Sequence, residues 1–374
     1  MTSVAFHIDQ LFFQVPGGIG TYVRELVTAL AKADPELDLR LFHARFDGAE
    51  PEPWLAGHRV EELSASIRSL YPRWDVTARP PLPEPLASAD IVHSPNPAAV
   101  PPARQEQRLV VTVHDLAFLH FPSMYPRAWR VLYRLGLAAT ARRANAILAP
   151  SRNTAEDLLS RTKAEPARIH VVPLATSLEI GTEDPTETLG RLKVPRPYAL
   201  FVGTLEPRKN LVRLVRAYRR VAATGLPHSL VLAGPMGWQP QPLLRELALP
   251  GPGEIVLTGA LSRTDLDALY RGAGVFVYPS LYEGFGLPVL EAMARAVPTV
   301  TSNASSLPEV TGDAALGVDP RSVREIAHAI ETVLSDGNLA DRLGAKGRAR
   351  AERFSWDETA RQTLNVYEKA LWER

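Results

Sequence analysis

The 374-residue sequence predicts an α/β protein of two domains, each built on a parallel sheet. Three observations lead there. Short apolar runs of strand length alternate with segments of helical period through most of the chain. The alternation occurs twice, on either side of a polar, turn-rich stretch at 176–197 that holds Gly181, Pro185, Gly190, Pro195 and Pro197. The length suffices for more than one core, and 45% hydrophobic with 22% charged residues excludes disordered, collagen-like and coiled-coil chains.

In the first half the apolar runs place strands at 4–8, 39–42, 90–93, 109–114, 146–149 and 169–172, with helices at 20–33, 128–143 and 154–161. The start of the chain lacks a basic region and a long apolar core, so it reads as a first buried strand and not as a signal peptide. The proline-dense stretch 72–102 is expected to be loop. In the second half strands are expected at 198–202, 229–233, 254–257, 275–278 and 299–302, with helices at 211–223, 263–271, 287–294 and 323–334. A last helical pattern follows Ser355, a residue suited to an N-cap. The expected boundaries are a first domain over 1–178, a linker over 179–196, a second domain over 197–355 and a closing helix over 356–374.

Lys and Arg number 42 against 41 Asp and Glu, a formal net charge of +1, so a dedicated nucleic-acid binder is excluded and any polyanion or membrane contact must be local. The absence of cysteine removes disulfides, thiolate metal sites and cysteine nucleophiles together, and fits a reducing compartment. No apolar run approaches the ~20 residues of a membrane-spanning helix, so a cytoplasmic protein is expected.

Four segments carry residue types with chemistry. Pro16-Gly17-Gly18-Ile19-Gly20-Thr21-Tyr22 follows the first strand and opens a helix, where glycines admit a ligand to the backbone and the helix start favours an anion. As a dinucleotide fingerprint it fails at its third glycine, which is Val23, and no acidic residue ends the second strand. Val110-Val111-Thr112-Val113-His114-Asp115 puts a His-Asp pair at the carboxyl end of a buried strand, where α/β sheets bind ligands; a structural histidine is the other reading, and for His93 the preferred one. Gly203-Thr204-Leu205-Glu206-Pro207-Arg208-Lys209-Asn210 offers a guanidinium fork and an ammonium at a helix start, a set suited to a diphosphate or to a plain solvated pair.

The most specific segment is Glu283-Gly284-Phe285-Gly286-Leu287-Pro288-Val289-Leu290-Glu291. Its glycines turn backbone N–H groups toward a ligand at the helix that Pro288 begins, and its two carboxylates can grip different parts of one hydroxyl-rich molecule. No metal-binding spacing occurs. Asp265-Leu266-Asp267, the sole Asp-x-Asp, falls in a helical pattern and reads as a solvated face.

Glu283-x7-Glu291 with Gly284 to Leu287 between, preceded by Gly203 and Arg208-Lys209, resembles the donor site of glycosyltransferase family 4. The likeness extends over almost the whole chain through Gly17 to Tyr22, His114-Asp115-Leu116, Ala149-Pro150-Ser151, Glu206 to Asn210, Ser306 to Val310 and Phe354-Ser355-Trp356. The resemblance implies a GT-B fold: two Rossmann-like domains facing a central cleft, with the C-terminal helix crossing back to the first domain. It also implies a retaining transferase with no metal and no cofactor beyond its nucleotide-sugar substrate. Within the family the chain is most similar to bacterial O-antigen-type mannosyltransferases, which use GDP-mannose.

By that resemblance Arg208 and Lys209 neutralise the diphosphate, Glu291 takes the ribose hydroxyls, and Glu283 the donor-sugar hydroxyls. The backbone of Gly284, Phe285 and Gly286, with Leu287 and Gly203 alongside, lines sugar and phosphates. Gly17 and Gly18 lie by the phosphates or acceptor, His114 touches the donor sugar, and Thr258 with Gly259 flanks the base. No general base is assigned; Asp115 is the residue to test. The acceptor is expected to be a glycan or lipid-linked glycan. Residues 116–155 hold no Asp or Glu but six Arg, of which Arg127, Arg130 and Arg134 share a helical spacing beside Trp129, a pattern fit for an anionic membrane surface or for an ordinary solvated face. The alternatives are the same fold with a UDP-sugar, a degenerate GT-B subunit that only binds, and a nicotinamide oxidoreductase.

Overall fold

The computed structural model describes residues 2–46, 52–176 and 179–372. Met1, the expected boundary residues Ser177 and Leu178, and Glu373 and Arg374 of the expected closing segment 356–374 lie outside them. The chain divides into two compact units, 1–174 with 355–374, and 175–354.

The first unit carries a seven-stranded sheet. Its strands are β1 (Ser3–His7), β2 (Asp38–Arg45), β3 (Arg59–Ser66), β4 (Ile91–Ser94), β5 (Arg108–Thr112), β6 (Ala146–Ala149) and β7 (Ile169–Val171), all parallel in the order β3-β2-β1-β4-β5-β6-β7. Its helices are α1 (Gly17–Ala33), α2 (Ile67–Thr77), α3 (Ala117–His120), α4 (Arg127–Arg143) and α5 (Arg152–Arg161). Every residue of β1, β4 and β6 is buried, the pattern of parallel strands covered on both faces.

The second unit carries six parallel strands, β8 (Tyr198–Val202), β9 (Ser229–Ala233), β10 (Ile255–Gly259), β11 (Val275–Tyr278), β12 (Thr299–Ser302) and β13 (Leu316–Val318), in the order β10-β9-β8-β11-β12-β13. Its helices are α6 (Thr186–Arg191), α7 (Leu211–Ala222), α8 (Gln241–Ala248), α9 (Arg263–Gly272), α10 (Leu287–Ala294), α11 (Leu307–Thr311), α12 (Val323–Ser335) and α13 (Gly337–Ala351). In α7 the stripe Leu211, Leu214, Val215, Tyr218 and Val221 is buried while Arg216 and Arg220 face solvent, the 3.6-residue period of a helix laid on a sheet.

The closing helix α14 (Trp356–Trp372) belongs to the first unit, where it packs on α1 and β5. Ser355 caps it, its Oγ accepting from Glu358 N at 3.2 Å. Arg108 Nε donates to the Ala370 carbonyl at 2.9 Å and Thr359 Oγ1 to the Pro173 carbonyl at 2.7 Å, so both ends of the helix are tied down.

Four differences from the expected elements have physical causes. The expected loop 72–102 begins inside α2: Pro72 removes one helical hydrogen bond, but Leu70, Tyr71 and Trp74 are buried and hold the turn. Further along the same stretch lies β4, the strand expected at 90–93. β3 was not foreseen because it is an edge strand whose Arg59, Glu62 and Ser64 face outward, with Leu63 its one buried residue. α13 was hidden by its glycines, which are there for close approach: a Cβ on Gly344 would stand 2.3 Å from the Ala296 carbonyl oxygen. The expected linker 179–196 contains α6 and is fastened to the second unit, with Gly181 N donating to Asp267 Oδ2 at 3.1 Å.

Candidate active site

In the second sheet the strand order reverses between β8 and β11, the place where open α/β sheets bind ligands beyond their carboxyl ends. The loops that leave these two strands, 203–210 and 279–286, carry the charged residues singled out by sequence. Gly203 opens the first loop at φ 145°, and a Cβ on Gly234 would stand 2.2 Å from its carbonyl oxygen, so glycine is needed for the turns after β8 and β9 to touch. Asn210 ends the loop in the left-handed region at φ 64°. Its Nδ2 donates to the carbonyls of Pro279 (2.9 Å) and Pro320 (2.6 Å), and Leu281 N donates to the Arg208 carbonyl at 2.9 Å.

This frame brings Arg208, Lys209 and Glu283 together. Arg208 Nη1 donates to Glu283 Oε2 and to the Tyr282 carbonyl, both at 2.7 Å, while Nη2 donates to Glu206 Oε1 at 2.8 Å. Lys209 Nζ donates to Glu283 Oε1 at 2.7 Å and to the Tyr278 hydroxyl at 2.6 Å. Two cations and two carboxylates thus sum to zero charge in a largely buried site. Burial pushes the Glu283 carboxyl up, but the Arg208 and Lys209 charges outweigh it and hold the pKa at about 2. Burial and the neighbouring Arg208 lower Lys209, opposed by Glu283. Burial and Glu283 raise the Tyr278 hydroxyl well above its usual range, so it stays protonated.

Glu283 is also held through its backbone. Its N–H donates to Ser305 Oγ at 2.8 Å, and Ser306 Oγ donates to the carbonyls of Glu283 and Phe285 at 2.9 Å each. Gly286, at φ 116°, then caps α10, where Leu287 and Pro288 begin the helix. Glu291 stands one helical stretch further on in a different setting: its Oε2 accepts from the Tyr270 hydroxyl at 2.7 Å, and burial raises its pKa against that bond. The two carboxylates therefore have separate partners. Thr258 and Gly259 end the edge strand β10, with Gly259 exposed at φ 69° and its carbonyl taking the Gly234 N–H at 3.0 Å.

The remaining candidates lie in the first unit. Gly17 and Gly18 are exposed at the start of α1, Gly17 at φ 60°. His114 follows β5, its ring edge-on to Tyr22 with centroids 4.7 Å apart at 79°. Burial lowers its pKa to about 4, opposed by Asp115 and the Pro95 carbonyl, so the imidazole is neutral near pH 7. Asp115 Oδ1 accepts from Ala117 N at 2.9 Å, which assigns that oxygen to starting α3. His93 is fully buried and uses both ring nitrogens inside the unit, as a structural histidine does.

The expected solvated face at Asp265 and Asp267 is corrected. Asp267 is buried, accepting from Arg271 Nε and Arg295 Nε at 2.7 Å each, and Asp265 N is bonded to the Ser262 cap. Among the described residues no group of three His, Cys, Asp or Glu could hold a metal ion. Glu206 and Tyr278 were not foreseen as members of the charged cluster. Glu206 had a signal in its place two residues before Arg208, whereas Tyr278 looked like the last core residue of a strand.

Known proteins resemble this chain. The family models "Glycosyltransferase Family 4" and "Glycosyl transferases group 1" match residues 16–179 and 190–350. O-antigen chain mannosyltransferase B of Escherichia coli is 36% identical over 94% of this chain and 95% of its own length. The chain belongs to glycosyltransferase family 4. It is a nucleotide-sugar-dependent hexosyltransferase. The MMP alpha-(1->4)-mannosyltransferase of Mycolicibacterium hassiacum is 37% identical over 62% of this chain and 56% of its own. Sucrose-phosphate synthase from Thermosynechococcus elongatus superposes with a TM-score of 0.76 at 22% identity, covering 99% of both chains, which shows the GT-B fold.

In this glycosyltransferase the cluster at the switch point is neutral only because Glu283 and Glu206 stand where an anion can. A dianion arriving on Arg208 and Lys209 competes with Glu283 for both cations. Once displaced, the Glu283 carboxylate has acceptor sites open to hydroxyl donors.

Proposed function

We propose that the enzyme transfers mannose from GDP-mannose, with retention of anomeric configuration and without a divalent metal, to a glycan or lipid-linked glycan at the cytoplasmic side of a membrane. The observation that carries the reading is the buried set of Arg208, Lys209, Glu206 and Glu283 at the β8/β11 switch point. Arg208 and Lys209 supply the charge that a metal provides elsewhere, stabilising the leaving diphosphate as it accumulates charge. Glu283, freed from them, takes donor-sugar hydroxyls. Glu291 takes the ribose, the backbone of Gly203 and of Gly284 to Leu287 lines the phosphates and sugar, and Thr258 with Gly259 flanks the base. From the first unit His114 touches the donor sugar, Gly17 and Gly18 approach the phosphates or acceptor, and Asp115 is the carboxylate to test as a base. Mannose is supported by the mannosyltransferase that aligns along nearly the whole chain.

Membrane contact is assigned to α4. Val131 and Leu135 are 59% and 38% exposed, with Arg127 and Arg134 exposed beside them; Arg130, at the same helical spacing, is half-buried, and Trp129, 45% exposed, stands about 160° round the helix from Val131. Exposed apolar and basic side chains on one helix suit an anionic bilayer. Arg127→Ala with Arg134→Ala lowers sedimentation with phosphatidylglycerol vesicles, and equal sedimentation with the wild type refutes the assignment.

Thermal unfolding in EDTA with GDP, UDP, ADP or NAD at equal concentration tests the donor, since a ligand of the folded state alone stabilises by RT ln(1 + [L]/Kd). A shift with GDP is expected. A shift with UDP alone replaces the donor, and no nucleotide shift, or one with NAD alone, overturns the reading.

A further inference from the structure

Behind His114 runs a row of buried polar side chains that the donor reading does not use. Tyr22, on α1, meets the His114 ring edge-on, and its hydroxyl reaches Thr112 Oγ1 at 2.8 Å. Thr112 is the last residue of β5, two positions before His114, so one tyrosine touches both: the hydroxyl on one and the ring on the other. Thr112 Oγ1 also contacts His93 Nε2 at 2.8 Å, and His93 Nδ1 contacts the Tyr367 hydroxyl of α14 at 2.5 Å. Tyr22, Thr112, His93 and Tyr367 are each at most 2% exposed, so no bulk water replaces a lost partner.

The hydrogens of this row are coupled. Burial lowers His93 to about 3, so it is neutral and carries one ring N–H. Tyr367 can donate to Nδ1, Nε2–H to Thr112 and Thr112 to Tyr22, or each bond can run the other way. In either direction three bonds use three of four hydrogens, and every member needs its neighbour. Removing the Thr112 hydroxyl leaves Tyr22 without its hydrogen-bond partner and His93 with one nitrogen unmatched, in a site where such a loss is not repaired.

We propose that Tyr22, held by Thr112, His93 and Tyr367, is a positioning residue for His114, so that the C-terminal helix α14 takes part in the transfer step by fixing the orientation of that imidazole. The inference rests on the reading of His114 as the residue that touches the donor sugar. Its consequence is specific: the row acts through His114 and through nothing else. A buried network that merely rigidifies the unit lowers stability without that dependence.

The test pairs a spectrum with turnover. In a carbon–proton correlation spectrum of imidazole-labelled enzyme, the His114 Cε1–H signal is assigned by its loss in His114→Ala. In Thr112→Val that signal moves and broadens, because the Tyr22 ring is no longer fixed against it, and in Thr112→Ser it keeps its wild-type position. Release of GDP from GDP-mannose falls by a factor of ~10 in kcat for Thr112→Val, with the donor KM held within about twofold, and adds less than about twofold in the His114→Ala background. An unmoved His114 signal, equal effects of Val and Ser, or losses that multiply with His114→Ala overturn the proposal. Where Thr112→Val does not fold, Tyr22→Phe and Tyr367→Phe, which remove only a hydroxyl, give the same reading. Unchanged turnover in His114→Ala instead refutes the role of His114 itself, and the proposal falls with it.

Discussion

Glu283→Gln separates nucleotide binding from transfer. Glu283 lies 2.7 Å from a nitrogen of each of two cations. With charge centres ~4 Å apart and an effective dielectric of ~20, each contact amounts to about 4 kcal/mol of gross attraction. Glutamine keeps the shape but has one acceptor oxygen, and its amide NH2 faces a cation. Leaving two buried cations short of a carboxylate costs ~3–5 kcal/mol of stability. For a unit of this size that is a melting temperature lower by roughly 6–20 °C. GDP then no longer competes with a carboxylate, so its affinity is unchanged or up to about tenfold higher, and it restores much of the lost stability. On the proposed role of Glu283 toward the sugar hydroxyls, transfer falls by ~2–4 kcal/mol in kcat/KM. Titration calorimetry with GDP in EDTA, melting with and without GDP, and labelled-mannose transfer read the three quantities. GDP affinity falling tenfold or more while transfer persists would refute the exchange of carboxylate for diphosphate.

Lys209→Ala moves binding and transfer in the same direction, weakening GDP and costing ~2–4 kcal/mol in transfer; Glu291→Ala costs a similar amount, and unchanged rates in both sink the donor-site assignment. His93 and His114 titrate at about 3 and 4 in the folded protein against an ordinary 6.5. The unfolded chain therefore binds their protons first, and stability is full above pH 6.5 and falls as pH drops toward 4, each histidine adding a slope of up to about 1.4 kcal/mol per pH unit. Urea midpoints from pH 7 to 4.5 measure it, and a slope unaltered in His93→Gln contradicts the assignment. Gly136→Ala places a Cβ 1.6 Å from the Pro97 carbonyl oxygen, so α4 must shift and the first unit loses ~1–3 kcal/mol; a melting curve equal to the wild type's excludes that contact.

Strands β8, β9 and β11 are readable from sequence because parallel strands buried on both faces are nearly unbroken apolar runs. α10 is readable for another reason: Gly286 and Pro288 punctuate its start. Polarity and glycine hid the rest. β3 is an edge strand with charged outward residues, and α13 spends its glycines on close packing, so neither shows the period that helices and strands usually carry. At the site, the charges of Arg208, Lys209 and Glu283 were visible and their mutual neutralisation was not. Pairing depends on Asn210 drawing loops together from positions some seventy and more than a hundred residues away. Asp267 was misjudged for the same cause: Arg271 is its neighbour on α9, but Arg295 arrives from another helix.

Asn210 has a meaning for how this enzyme can change. Its single amide NH2 fastens the segments that follow β11 and β13 to the one that follows β8. Aspartate at that position has no hydrogen to give either carbonyl, so exchanging one side-chain group there unfastens both segments at once. β10 is outside these segments, at the sheet edge, with Gly259 in the open. A change in β10 can therefore be absorbed without disturbing the three segments that Asn210 joins, and with them the pairing of Arg208, Lys209 and Glu283.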